Sequence, residues 1–369
     1  MPKSTKVANG QKLGALAAQA LMGAWRSDPA VCDLPDATLS KIYPNLASVG
    51  GGGMLYQRCQ ARKDLAQYAQ MQQGFKSAVL NNAVSGHAIA EVSQMLREAG
   101  IEHLLFKGAS LSRYYGDAAC RGYGDIDILV RPAQMAAVLD VLVPQSFARD
   151  NPDFPFDRNN IVVTLDWQYP AHMSKVDLHE NLDKFHLPDL NAVFAHAGHM
   201  EIAGAQVPVM GAEHLLRLAC LHGLRHGFWR AVWLVDIAAF VENLPADFNW
   251  ELCLQGDATL RNWIGVCLGL AQQLLGADMR RVPAGVVVPP PKWARRVVLR
   301  DWSKSFTQYH DRKPLKAIIR QRPSSIGAQL VHRWPNPMMA CLRMGTKFPM
   351  RFVVLVQLRY LWARLFSDK

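Results

Sequence analysis

Apolar residues recur at three- and four-residue steps through several stretches of the chain, and that spacing predicts helices there. Residues 12–25 are rich in Ala and Leu and free of proline. Four glycines at 50–53 break the chain, and a second helical stretch is predicted over 54–68. A third is sharper: Val84, Ala88, Val92, Met95, Leu96 and Ala99 share one face, and Gly100 stands where a C-terminal cap belongs. The period then changes. His103-Leu-Leu-Phe106 is a short apolar run ending in Lys107-Gly108, and Asp125-Ile-Asp-Ile-Leu-Val130 alternates acids with apolar residues. Residues 132–143 return to helix, and 161–167 and 175–178 are two further predicted strands around a polar turn. Strand, helix, strand, helix and then strands make a small α/β sheet. From about residue 191 the pattern is helical again, with 213–223, 230–243 and 262–275 as predicted helices. A proline run, Val288-Pro-Pro-Pro-Lys292, predicts a hinge before a last basic section.

Composition narrows the class. The 369 residues are 50% hydrophobic and 19% charged, which excludes a wholly disordered chain and favours two compact units. The longest uncharged apolar-leaning stretch, 262–277, contains Gln272 and Gln273 and falls short of the roughly 20 apolar residues a bilayer needs, so no integral span is expected. The first residues are positive but carry no continuous apolar run, so no secretory signal is expected either. Seven scattered cysteines without a CxxC pattern point to reduced thiols and a cytoplasmic location rather than a disulfide framework. The net charge of +11 is uneven. Residues 280–369 hold 19 Lys and Arg against Asp301, Asp311 and Asp368, a balance of +16, whereas residues 1–279 carry −5. Such a section suits an anionic partner, or is a solvated helical face.

Candidate chemistry concentrates between residues 104 and 130. Asp125 and Asp127 are two apart on a predicted strand, so their side chains share a face, with Ile126 and Ile128 opposite. Paired carboxylates repel unless a cation sits between them, and hard divalent ions, chiefly Mg²⁺, fit that arrangement. The other reading of Asp-x-Asp is a solvated strand edge. Some fifteen residues earlier, Lys107-Gly108-Ala109-Ser110 ends a strand and opens a helical piece. Gly108 lets backbone N–H groups approach a phosphate, Lys107 adds charge and Ser110 a hydroxyl, unless this is a plain strand-to-helix turn. A third carboxylate is wanted to ligate metal and accept a proton, and Asp177 and Asp166 both lie on predicted strands. Asp177 is preferred, because Val176 and Leu178 flank it with the alternation seen around Asp125 and Asp127.

Lys107-Gly108, Arg121, Asp125-Ile126-Asp127 and Val176-Asp177-Leu178-His179, followed by Cys220-Leu-His222, His226, Trp229, Trp233 and Asp236-Ile237, together resemble the uncharacterised bacterial nucleotidyltransferases of the DNA polymerase beta superfold. The resemblance runs over about residues 55–243. It implies an α+β fold, a minimal mixed sheet flanked by helical N- and C-terminal regions. It also implies Mg²⁺-dependent transfer of a nucleoside monophosphate from an NTP. Asp125, Asp127 and Asp177 would then bind metal, with Mn²⁺ as an alternative to Mg²⁺, and Lys107, Gly108, Ser110 and Arg121 would serve the nucleotide. The expected division is an N-terminal helical region (1–99), the α/β core (100–190), a helical subdomain closing the cleft (191–279) and a basic helical C-terminal region (280–369).

His222 and His226 share a helix face with Trp229, Trp233, Asp236 and Phe240. That stripe is either a core face or a wall of the nucleotide cleft, with Trp229 available to stack a base. The His-x₃-His spacing is similar to a zinc motif, but Gly223 stands where that motif has Glu. The expected substrates are an NTP, ATP first, and a hydroxyl or phosphate acceptor, with a peptide, sugar or small metabolite favoured. The alternative is a catalytically inactive nucleotide- or nucleic-acid-binding module using the basic C-terminal region. Residues 348–366 mix Arg351, Arg359 and Arg364 with Phe, Val, Leu, Tyr360 and Trp362. They form either a membrane-surface helix or, the favoured reading, one docked on its own protein.

Overall fold

The computed structural model describes residues 3–145, 147–149, 162–169, 172–187, 189–304 and 335–366. Its centre is a seven-stranded mixed sheet of order β3-β4-β5-β2-β1-β7-β6. The strands are β1 (His103–Phe106), β2 (Asp125–Val130), β3 (Phe147–Arg149), β4 (Val162–Tyr169), β5 (His172–His179), β6 (Gly198–Ile202) and β7 (Ala205–Val209). β2 lies between antiparallel β1 and parallel β5.

Strand alternation sorts the side chains into two layers. Ile126, Ile128 and Val130 of β2 join Val176 and Leu178 of β5 in one apolar cluster. Two helices cover it. α4 (Tyr68–Glu98) supplies Ala88, Ile89, Val92 and Leu96, and α6 (Met135–Leu142) supplies Met135, Val138 and Leu142. Leu104 and Phe106 of β1 and Leu129 of β2 enter the opposite and larger cluster. There they meet α8 (Ala212–Arg225), α9 (Ala231–Glu242) and α11 (Ala258–Leu275). The acids of β2 and β5 therefore project on the α8–α9 side, because the apolar residues between them are buried under α4 and α6.

The clearest predicted helix is the C-terminal part of α4, which extends to 31 residues. Gly100 and Ile101 N–H groups bond back to the carbonyls of Arg97 and Leu96 and close it. Three features depart from the sequence pattern. The chain beyond residue 191 begins with α7 (Leu190–Ala195) and then the β6–β7 hairpin, not with continuous helix. Its two-residue turn is Ala203-Gly204, with φ of 49° and 80° as a hairpin turn of this hand requires. α2 (Asp36–Ser48) forms despite Pro44 within it, by burying Leu39, Ile42, Tyr43 and Leu46. The proline run lies along α11. Val288 N–H donates to Gly265 O at 3.0 Å, and a Cβ on Gly265 or Gly269 would come within 2.4 Å of Val286 O or 2.2 Å of Val288 O.

Beyond that run, α12 (Lys292–Trp302) packs on α1 (Lys3–Leu21) so closely that a Cβ on Gly14 would sit 1.8 Å from Leu299 O. Trp302 Nε1 donates to Phe228 O at 2.7 Å, between α8 and α9. All seven cysteines are buried and unbridged. No helix among the described residues is long and apolar enough to cross a membrane.

Candidate active site

The parallel register of β2 and β5 sets Asp127 beside Asp177, Asp125 beside Lys175 and Leu129 beside His179. One ligand atom from each of Asp127, Asp177 and His179 lies within 4.8 Å of the others. Asp127 is 2% exposed. Its Oδ1 accepts from Lys107 Nζ at 2.5 Å and from His179 Nε2 at 2.9 Å. Burial pushes the Asp127 carboxyl up, but the Lys107 charge and the His179 hydrogen bond together outweigh it and hold the group well below the usual carboxylate range. A carboxylate held in its ionised form, a second carboxylate and an imidazole form a donor set that fits a divalent cation. Asp125 opens β2, is exposed and stands outside that cluster.

Lys107 follows β1 with φ 60° and ψ −135°, a strained conformation for a residue with a side chain. Two groups hold it: its carbonyl accepts from Ser110 Oγ at 2.8 Å and from Leu111 N–H at 2.9 Å. Ser110 is thus wholly buried with its hydroxyl turned to the backbone. Gly108, the first residue of α5 (Gly108–Ser112), is needed for a close approach, since a Cβ there would lie 2.9 Å from Tyr123 Cβ.

These elements open onto a cavity of about 420 Å³. Lys107, Gly108, Asp125 and Asp127 form one side. Arg121 and the following glycine-rich loop form its edge, and His222, His226, Trp229, Arg230, Trp233 and Asp236 form the facing wall. Of the metal-ligand cluster, Asp127 is the member on the cavity wall. The second preferred carboxylate, Asp177, is half-buried beside it. Asp166 lies on β4 opposite Lys175, and its side chain is outside the described part of the structure.

Arg121 is buried and fully engaged. Its Nε and Nη2 donate to the two oxygens of Asp236 at 2.7 and 3.0 Å, and Nη1 donates to Gly122 O at 2.6 Å. Tyr115 Oη adds a 2.6 Å bond to Asp236. Arg121 therefore ties the loop before β2 to α9 and fixes the distance between the acidic side of the cleft and its wall. On the wall, His222 and His226 rings lie 4.7 Å apart and both approach Trp233 at 5.0 Å. Arg230 stacks on Trp229 at 4.9 Å. Burial, reinforced by the neighbouring cations, holds the His222 imidazole well below its ordinary value and His226 at about 4, so both rings are neutral near pH 7. His222 Nδ1 has no hydrogen-bond partner among the described residues.

Four participants were given no individual role by the residue-type reading. His179 follows Asp177 by two on the same strand, and that alternation was its signal. Asp236 meets Arg121 from 115 residues away and Tyr115 from 121, pairings that spacing does not encode. Arg230 adjoins the wall tryptophan but falls off the helical stripe.

A solved antigenic nucleotidyltransferase-like protein from Paracoccidioides brasiliensis is similar over 53% of this chain and 93% of its own, with 17% identity and a TM-score of 0.39. No curated protein matches the sequence. Residues 50–276, more than half of the chain, match the family described as an uncharacterised nucleotidyltransferase. That span runs from the glycine run before α3 (Gly52–Cys59) to the end of α11 and holds every residue lining the cleft except Ser48 and Val49. The protein is therefore a nucleotidyltransferase and belongs to this uncharacterised nucleotidyltransferase family.

Proposed function

We propose that the protein transfers a nucleoside monophosphate from an NTP, with ATP the expected donor, to a hydroxyl or phosphate acceptor on a peptide, sugar or small metabolite. The observation that carries this reading is the register that seats Asp127, on the cleft wall, beside Asp177, with Lys107 on Asp127. Asp127 and Asp177 would hold a divalent cation, Mg²⁺ first and Mn²⁺ second, with His179 in the same cluster and Asp125 at the mouth. Bound there, the cation supplies charge neutralisation around the reacting phosphates.

The protein's own groups account for the remainder. The acceptor oxygen bonds to the α-phosphorus, the α–β bridging bond breaks, and pyrophosphate leaves. Asp177 would take the hydroxyl proton. Lys107 and the Gly108 turn face the triphosphate, with Arg121 holding the loop beside them. Trp229, His222 and His226 offer an aromatic, uncharged wall for the base. Incubation with NTPs labelled at either the α- or γ-phosphate, divalent metal and a metabolite and peptide pool tests the reading. Label from the α position should enter an acceptor with release of pyrophosphate. Transfer of the γ label instead would replace it with phosphoryl transfer.

A further inference from the structure

The last described helix, α14 (Val353–Phe366), is apolar on both sides. Its inner side is anchored. Gln357 is buried and donates to Pro335 O at 2.6 Å, while Val353 and Val356 pack on the main core. The segment leading into it is pinned as well: Trp263 Nε1 donates to Thr346 O at 2.9 Å, Phe348 N–H to Asn262 Oδ1 at 3.0 Å, and Trp293 Nε1 to Pro349 O at 2.7 Å. The outer side is presented on this fixed base. Phe352 is 76% exposed, Trp362 67%, Leu355 59%, Val354 52% and Leu358 47%. Residues 354, 355, 358 and 362 fall within one sector of the helix. No comparable run of exposed large apolar side chains occurs elsewhere among the described residues.

Charge selects the occupant. Arg351 just before the helix and Arg359 within it are exposed, as are Arg343 and Lys347 in the segment leading to it, and residues 312–367 contain no Asp or Glu. Two copies meeting through the face would bring like-charged rims together. A nucleic acid would satisfy the cations and leave the aliphatic residues in water. A bilayer with anionic headgroups satisfies both, because aliphatic and aromatic side chains enter the acyl boundary while Arg and Lys stay at headgroup level. We propose that the outer face of α14 docks the protein on an anionic membrane surface as a peripheral, in-plane helix.

The test is co-sedimentation of the full chain with vesicles of phosphatidylcholine alone and of phosphatidylcholine mixed with phosphatidylglycerol. Binding should require the anionic lipid and weaken with salt. Leu355→Asp with Trp362→Asp, both at exposed positions, should reduce it about tenfold or more, as should Arg351→Glu with Arg359→Glu. Asp127→Asn should bind vesicles like the unaltered protein, which separates this proposal from that for the cleft. Circular dichroism checks that each variant is folded. Absence of binding to anionic vesicles, or equal binding by folded face variants, overturns the proposal. So does a lipid-free dimer that Leu355→Asp converts to monomer, since a second copy would then own the face.

Discussion

The two faces of the central sheet are made by the same strands and do opposite things. On the α4–α6 side, Ile126, Ile128, Val176 and Leu178 are sealed at 2% exposure or less. One residue away on each strand, Asp127, Asp177 and His179 gather, with Asp127 on the wall of the cleft. The lesson is that one face supplies the rigidity the other spends. The three polar groups can be held this close because Ile126 and Ile128 flank Asp127, Val176 and Leu178 flank Asp177, and Leu178 precedes His179, all locked into the opposite layer.

The largest way to break that contrast is to place charge on the sealed face. Ile128→Asp puts an unpaired carboxylate where the side chain is 2% exposed. It should cost more than about 4 kcal/mol and unfold the protein. Asp125→Ala, on the other face at an exposed position, should change stability by no more than about 0.5 kcal/mol. Thermal melts followed by circular dichroism measure both.

The contrast was legible in the acid–apolar alternation of β2 and in Val176-Asp177-Leu178, because strand period alone assigns faces. The wall was legible only as a stripe. His222 to Phe240 reads equally as core or cleft, and the structure gives it both duties: Phe240 is fully buried, whereas His222 and His226 line the cavity. The β6–β7 hairpin was not legible: its burial alternates along both strands, but Gly198, His199, Ala205 and Pro208 stand where a strand pattern wants β-branched or aromatic residues. The proline run read as a hinge because prolines were visible, while the glycines of α11 that admit its backbone, Gly265 against Val286 and Gly269 against Val288, act from 21 and 19 residues away.

A second prediction tests how the faces are tied to the wall. Arg121→Lys keeps the charge but loses the two-pronged bond to Asp236. It should lower stability by roughly 2–4 kcal/mol in chemical denaturation, because a buried carboxylate loses most of its partners. Unchanged stability would show that the loop before β2 is held without this clamp.

The smallest effect concerns acid. His226, held at about 4 by burial and nearby cations against an ordinary value of 6.5, stays neutral in the folded protein while the unfolded chain takes up a proton. Stability should therefore fall as pH drops from 6.5 toward 4, and His222 contributes with the same sign. Asp127 acts in a separate window. Its depressed value gives stability that is present above 3.8 and lost only as pH falls through the folded-state value. Melts of His226→Gln across pH 4–7 should show a shallower decline than the unaltered protein; an identical decline would assign the acid sensitivity to other groups.

The central claim is that the paired strand carboxylates carry the chemistry, and transfer of α-labelled NTP by Asp127→Asn and Asp177→Asn in the presence of Mg²⁺ tests it most directly. Each variant, folded by circular dichroism, should lose at least about a hundredfold in rate, roughly 2.7 kcal/mol of barrier. Retention of more than about a tenth of the rate by either folded variant, a change under roughly 1.4 kcal/mol, would contradict the account.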